Sequence, residues 1–361
     1  MKGHLTSRRE FLRNSILGSA GIAAALRVGP LAQEALADGF NSRVFMVKGE
    51  SRSDNAFRVM QMFKRQIVSA IGDRRVILKP NLVQEYNELA DTHVDWVDGI
   101  LEFLKSIGIT DVTIAESNPR NTMNALEKQG YFRLRDKHPV KFVELNQEGA
   151  DVVQVWQTDT TLHSIRVSKL LRNPRNFIIS CPRIKTHNNA VATIGLKNVV
   201  MSAPMVDPGF KFGQPGSNKF SKTPGMHGNP NTNQCLNDNI YRLMKLFGIR
   251  PHLSVIDGFQ GMEGAGPSSG TAATPQKLGI ASLDPIAADR VCVALMGHDV
   301  YQFNDGSAYP AYLNYCGQAG LGEWDLSRIE VVGERIDGNI VNFAPNPGIA
   351  AMLGMRATPK E

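Results

Sequence analysis

Through residues 94–107 the apolar side chains fall at Val94, Val97, Ile100, Leu101, Leu104 and Ile107, the spacing of one helical face. Thr92 and Asp95 ahead of them resemble a capping box, and Gly108 closes the segment. On either side, Arg75–Lys79 and Asp111–Ala115 are short apolar runs that predict buried strands. Strand, helix and strand in that order predict a β-α-β unit with parallel strands and a right-handed crossover. Further strands are predicted at 141–145, 177–180, 253–256, 278–281 and 329–332. Helical patterns occupy 54–71, 122–136, 189–200, 236–247 and 286–296. The alternation predicts an α/β fold, a mostly parallel twisted sheet flanked by helices.

The amino terminus follows a different pattern. Arg8 and Arg9 stand in a charged segment, an apolar run rich in small residues follows from Ile16 to Leu26, and Ala35-Leu36-Ala37 offers a small-x-small cleavage site. This order predicts a twin-arginine signal over residues 1–37, removed on export to the periplasm or beyond. The translocase would then be a partner during export. The run is too short and too rich in Gly and Ala for a good membrane span, and no later stretch is long enough to be one.

Removing that segment changes the charge. Five of its residues are basic and two acidic, so the formal net charge falls from +6 to +3. That balance lacks the basic stripe of a nucleic-acid binder. Residues 38–361 suffice for one domain, or for two lobes of about 38–175 and 176–345. No internal repeat is evident. Cys181, Cys235, Cys292 and Cys316 form no CxxC pair, so there is no nucleus for a zinc knuckle or an iron–sulfur cluster. Four cysteines in an oxidising compartment allow three full pairings, and the spacing does not choose among them.

Residues 202–234 interrupt the rhythm with many Gly, Pro, Asn and Ser residues. A loop of this length in a compact domain is either disordered or functional. Lys211, Lys219, Lys222 and His227, with Phe210, Phe212, Phe220 and Met226 as anchors, favour a binding loop.

Ligands of α/β sheets collect at the carboxyl ends of strands, so the residues there carry the candidate chemistry. They are Lys79 and Asn81, Glu116 and Ser117, Lys185 and His187, and the run from Asp257 through Glu263, Gly264 and Gly266. A lysine ending a buried strand needs a carboxylate or ligand partner. Gly264 and Gly266 could form an anion-holding nest or a plain turn. Lys197 and Asn198 lie in an apolar stretch that would bury the lysine stem and aim its ammonium at something negative.

Several of these motifs resemble the domain-of-unknown-function 362 family: Ile77–Val83, Cys181–His187, Gly195–Asn198, His227, Asp257–Pro267 and Asp284–Asp289. The resemblance covers roughly residues 43–333. Some members carry ferredoxin-like cysteine motifs, which this chain lacks. A looser resemblance, resting on the β-α-β unit and a Gly-x-Lys with a downstream His, is to the lactate-racemase family. It implies a bound nickel nucleotide anchored at Lys197, with His227 on the metal.

Together these readings predict an exported protein that binds a small, carboxylate-bearing anion. Lys79, Asn81, Glu116, Ser117, Asn198, His227, Gly264 and Gly266 would bind, while Lys185, His187, Lys197, Asp257 and Glu263 would perform acid–base or redox chemistry. A cofactor or metal loaded before export would suit the twin-arginine route. The alternative is a non-catalytic periplasmic protein that captures an anion or metal complex.

Overall fold

A computed structural model describes residues 41–207, 221–222, 224–227, 234–298, 301–302 and 308–352. The expected signal at 1–37 lies outside the described residues, as do Phe210, Lys211, Phe212, Lys219 and Phe220 of the long loop.

The chain opens with β1 (Ser42–Lys48), α1 (Arg52–Gln61), α2 (Lys64–Ile71) and β2 (Arg75–Lys79). The expected β-α-β unit follows as β2, α3 (Val94–Ser106) and β3 (Val112–Glu116), with β2 and β3 paired in parallel. Next come α4 (Thr122–Lys128), β4 (Val140–Glu144), a hairpin of β5 (Ala150–Trp156) and β6 (Leu162–Ser168), and the single turn α5 (Lys169–Arg172). The centre of the chain holds β7 (Asn176–Ser180), β8 (Arg183–His187), β9 (Val191–Thr193), α6 (Gly195–Val200) and α7 (Gln234–Phe247). It continues with β10 (Leu253–Glu263), β11 (Thr271–Ala272), β12 (Leu278–Ser282) and α8 (Pro285–Leu295). A small ribbon of β13 (Tyr301–Gln302) and β14 (Ala308–Tyr309), α9 (Ala311–Gln318), β15 (Ile329–Gly333) and α10 (Pro347–Met352) complete the order.

One sheet of 11 strands runs β15-β1-β12-β10-β7-β2-β3-β4, with β8 and β11 paired to β10 and β9 to β8, and draws on both halves of the chain. Every neighbouring pair along this path is parallel except the two made by β12, which is antiparallel to both β1 and β10. The fold is therefore α/β with a mostly parallel sheet.

Alternate side chains of each strand point to opposite faces. Val76, Leu78, Val112, Ile114, Phe177 and Ile179 join one buried cluster with Val97, Ile100 and Leu104 of α3. Ile77, Ala115, Ile178 and Ile256 join the other with Leu196 of α6, Leu243 of α7 and Val291 of α8. Helices thus cover both faces, as a parallel sheet requires.

Three boundaries depart from the periodicity. The pattern at 54–71 divides at Phe63, whose ring stacks on Phe45 with centroids 4.1 Å apart. The cap of α3 is His93, which accepts from the Asp95 N–H, because the Thr92 hydroxyl instead donates to the Cys181 carbonyl at 2.8 Å. The stretch expected to be helical from 189 becomes β9 and then α6. Val191 sits at φ 62, a left-handed conformation that no helix and few β-branched residues adopt.

Candidate functional site

The carboxyl ends of β2, β3 and β7 form one rim, roofed by α6. Lys79 closes β2 with its side chain wholly buried. Its ammonium lies 2.6 Å from Glu116 Oε1, at the end of the neighbouring strand, and donates to Asn198 Oδ1 at 3.2 Å and the Pro80 carbonyl at 2.6 Å. Glu116 also accepts the N–H groups of Ser117 and Leu82, each at 2.7 Å. Asn198 Oδ1 accepts from Asn81 Nδ2 as well, while its amide donates to the Lys79 carbonyl and to Ser180 Oγ. The Ser117 hydroxyl donates to the Ser202 carbonyl at 2.8 Å, tying the end of β3 to the chain beyond α6.

The second lysine arrives on β8, which extends past the end of β7 alongside β10. Lys185 is fully buried and donates to the Ala90 carbonyl. Asp91, the next residue, is held by the N–H groups of Val83 and Gln84 and by Gln129 Nε2. Burial lowers the Lys185 pKa and raises that of Asp91, and each charge pulls the other partly back. Whether both or neither is ionised, these two groups add no net charge.

Lys197 and Lys222 have no carboxylate in contact among the described residues. Lys222 donates to the Met201 carbonyl at 2.6 Å, and burial brings its pKa down to about 8, although the Glu116 charge pulls it partly back up. Lys197, on α6, is 7% exposed, and its ammonium has no hydrogen-bond acceptor among the described residues. Burial holds its pKa well below the usual lysine value, and the charges of Lys222, Lys185 and Lys79 push it further down. His187, at the end of β8, accepts the Asn189 N–H at Nδ1 (2.9 Å), which leaves the hydrogen of the neutral ring on Nε2. Burial, followed by Lys197, His227 and Lys185, keeps its pKa well below the usual histidine value. The Asn189 side chain donates to the His227 carbonyl at 3.0 Å.

The placement of α6 has its own cause. The Leu196 N–H donates to both carboxylate oxygens of Asp289, at 3.3 and 3.2 Å, and the Tyr312 hydroxyl donates to Asp289 Oδ2 at 3.1 Å. Burial raises the Asp289 pKa to about 8. A Cβ on Gly195 would stand 2.4 Å from Ser254 Oγ, so only glycine lets the helix start this close to β10.

The structure thus brings together Lys79, Asn81, Glu116, Ser117, Lys185, His187, Lys197, Asn198 and His227. Asp257 is elsewhere, buried against Arg52 Nε at 3.0 Å, with Arg183 Nε at 3.9 Å. Glu263 Oε2 accepts the Ala344 N–H at 2.9 Å. The Gly264 and Gly266 N–H groups donate to the carbonyls of Ala344 and Gly264. These last three brace β8 from behind: Thr186 Oγ1 donates to the Gly264 carbonyl, and a Cβ on Gly266 would meet the Thr186 carbonyl oxygen at 2.0 Å.

Sequence reasoning gave no role to Asp91 or Asp289, and left Lys222 in the long loop. Asp91 carried a faint signal, an acid directly before the capping residues of α3. Asp289 stood at the end of the Asp284–Asp289 motif, but its role was not legible there because its partners come from two distant helices.

Among the described residues, three metal-ligating groups converge at Asp98, Glu102 and His138, on and beside α3. His227 belongs to no such group of three, so the described residues do not by themselves fit a nickel centre there. All four cysteines are free and buried.

A family model described as "Domain of unknown function (DUF362)" matches residues 76–294, more than half the chain. The chain belongs to the DUF362 family. Every residue of the lysine cluster falls inside the matched DUF362 region. A crystal structure of a Thermotoga maritima protein is similar at 13% identity and a TM-score of 0.41. The match covers 71% of this chain and 62% of that one, so the chain spans less than two thirds of that protein's length. No curated protein matches the chain. Among the described residues, no helix is long and apolar enough to cross a membrane.

Proposed function

We propose that this DUF362 protein is an exported enzyme that acts on a small carboxylate-bearing molecule by acid–base chemistry. One observation carries the reading: Lys197 is buried beside Lys79, Lys185 and Lys222, and its nitrogen has no acceptor among the described residues. Lys79 and Lys185 have Glu116 and Asp91 for compensation, whereas Lys222 shares the Glu116 charge with Lys79 without touching it and Lys197 has no carboxylate in contact among the described residues. Buried like charges persist where a ligand supplies the missing counter-charge. In this reading Lys222 and Lys197 bind the carboxylate, and the Nε2–H of His187 donates a hydrogen bond to it or to the reacting oxygen. A lysine of depressed pKa exchanges protons near neutrality, as a general acid or base must.

The arginine pair and cleavage site at the amino terminus support passage through the twin-arginine translocase and a periplasmic or extracellular working place. The same route would carry a cofactor loaded in the cytoplasm, which native mass spectrometry with metal analysis reads directly.

Calorimetric titration of the mature protein with lactate, malate and succinate tests the reading, with Lys197→Met and Lys222→Met as comparisons. Saturable binding by the parent and a loss of roughly tenfold or more in either variant support it, the size expected for a charge-assisted contact. No binding of any of the three sinks it. Saturable binding without turnover would leave a binding protein in place of an enzyme.

A further inference from the structure

Lys197 differs from the other three lysines in what its nitrogen does. Lys79, Lys185 and Lys222 each donate to a fixed backbone carbonyl, of Pro80, Ala90 and Met201 respectively. Such a bond holds the nitrogen in place and favours its protonated form. The Lys197 nitrogen has no bond of this kind among the described residues, although its backbone is fixed on both sides. Asn198 is bound to Lys79, Asn81 and Ser180, and Leu196 is bound to Asp289. A rigid turn of helix therefore presents one uncommitted amine among three cations.

We propose that Lys197 is a covalent nucleophile that forms an imine with a carbonyl carbon, and that the ligand is an oxo acid or an acid-bearing aldehyde. This rests on the anion-binding reading above and names both the bond and the substrate class. A carboxylate alone would be served by an ammonium, which any of the other lysines provides. A neutral, unbonded amine beside an anion site has a different partner, the electrophilic carbon of a molecule whose acid group the neighbouring cations hold. Burial, followed by the charges of Lys222, Lys185 and Lys79, holds the Lys197 pKa well below the usual lysine value, which favours the free amine that imine formation requires.

The chemistry balances with groups already at the site. The Lys197 nitrogen adds to the carbonyl carbon, the carbon–oxygen π pair moves to oxygen, and a proton passes from nitrogen to that oxygen. The product is a neutral carbinolamine. Lys222 gives a proton to the hydroxyl, water leaves, and an iminium remains with Lys222 as the neutral amine. A lysine with a pKa of about 8 is mostly protonated at pH 7 and can give up that proton. The Nε2–H of His187 can hydrogen-bond the oxygen while it carries charge. No oxidant or reductant is consumed. The iminium then acts as an electron sink for a bond on the adjacent carbon.

Reductive trapping tests this. The mature protein is incubated with glyoxylate, pyruvate or 2-oxoglutarate, reduced with sodium borohydride, and mapped by peptide mass spectrometry. The expected result is an added mass on the peptide that carries Lys197, with labelling roughly tenfold or more above that of exposed Lys141, since each unit of depressed pKa gives tenfold more free amine. Lys197→Arg supplies a fixed cation and no nucleophilic amine, so it should still bind pyruvate by calorimetry yet give no adduct. If these oxo acids bind but leave no adduct on Lys197, or label Lys197 no more than Lys141, the imine is overturned and the anion site stands. If neither the oxo acids nor lactate, malate and succinate bind, the anion reading fails with it.

Discussion

Lys79 and Glu116, at the ends of adjacent parallel strands, meet at 2.6 Å with side chains 0% and 3% exposed. The pair sits at the base of the lysine cluster and joins two strand ends that no loop connects directly. Removing one member leaves the other charge buried and alone. Glu116→Gln or Lys79→Met should each destabilise the fold by about 3–5 kcal/mol, read from chemical denaturation. The double change Lys79→Met with Glu116→Gln should cost clearly less than the two single effects added together. Additive effects would show that the pair is not coupled.

Asp289 sets a pH dependence of known sign. Its folded pKa of about 8 lies above its ordinary value of 3.8. Between those values the unfolded chain has lost the proton that the folded chain keeps. Stability should therefore fall as pH rises from about 4 to about 8, by at most about 1.4 kcal/mol per unit from this group. Lys185 and Lys222, depressed by burial, act in the opposite sense at higher pH. The parent compared with Asp289→Asn at pH 5, 7 and 9 isolates the carboxyl, and the parent should lose ground to the variant across that range. A constant difference would show that the group titrates normally.

Anion binding should take up protons. The groups facing Lys222 and Lys197 are Lys79, Lys185 and His187, with Glu116 and Asp91 as the nearby acids. An arriving carboxylate raises the pKa of both unmatched lysines. Affinity for a saturated carboxylate such as succinate should thus weaken as pH rises through about 8. Calorimetry at pH 7.5 in two buffers should show apparent heats that differ by the number of protons taken up times the difference between the buffers' ionisation heats. Equal heats would mean the lysines are already charged in the free site.

Gly266 offers a test from outside the cluster. Alanine there puts a Cβ about 2.0 Å from the Thr186 carbonyl oxygen, a clash that only movement of β8 relieves. Thr186 lies between Lys185 and His187. Gly266→Ala should lower anion affinity roughly tenfold or more while the protein still folds. Alanine at Gly338, which a Cβ would leave free of contacts, should leave affinity unchanged.

Much of this arrangement was legible in the chain. The runs at β2, β3 and β7 are short, apolar and bounded by turn residues, as strands of a parallel sheet are. Lys79 and Lys185 stood out because each follows apolar residues into a place where a charge is costly. β8 was harder to read. Arg183, Lys185 and His187 alternate in a run that looks like a polar loop, yet all five of its residues are buried. Each is tolerated through partners drawn from residues 88–91, 189 and 257–264, which no local pattern announces. β1 was hidden by its position directly after the expected signal. Asp257 and Glu263 follow an apolar run as Lys79 and Glu116 do, yet their carboxylates meet Arg52 and the Ala344 N–H, and the register of β10 against β8 shifts between Asp257 and Met262.

The two unmatched lysines also make occupancy visible to a protease. Where Lys197 and Lys222 are both charged they repel each other at the centre of the fold with Glu116 as a partial counter-charge, and a bound anion would relieve that repulsion in the folded state alone. Loaded molecules would then open less often and be cut more slowly than empty ones. In a compartment that clears unfolded chains, the survivors would be enriched in those that had found their ligand.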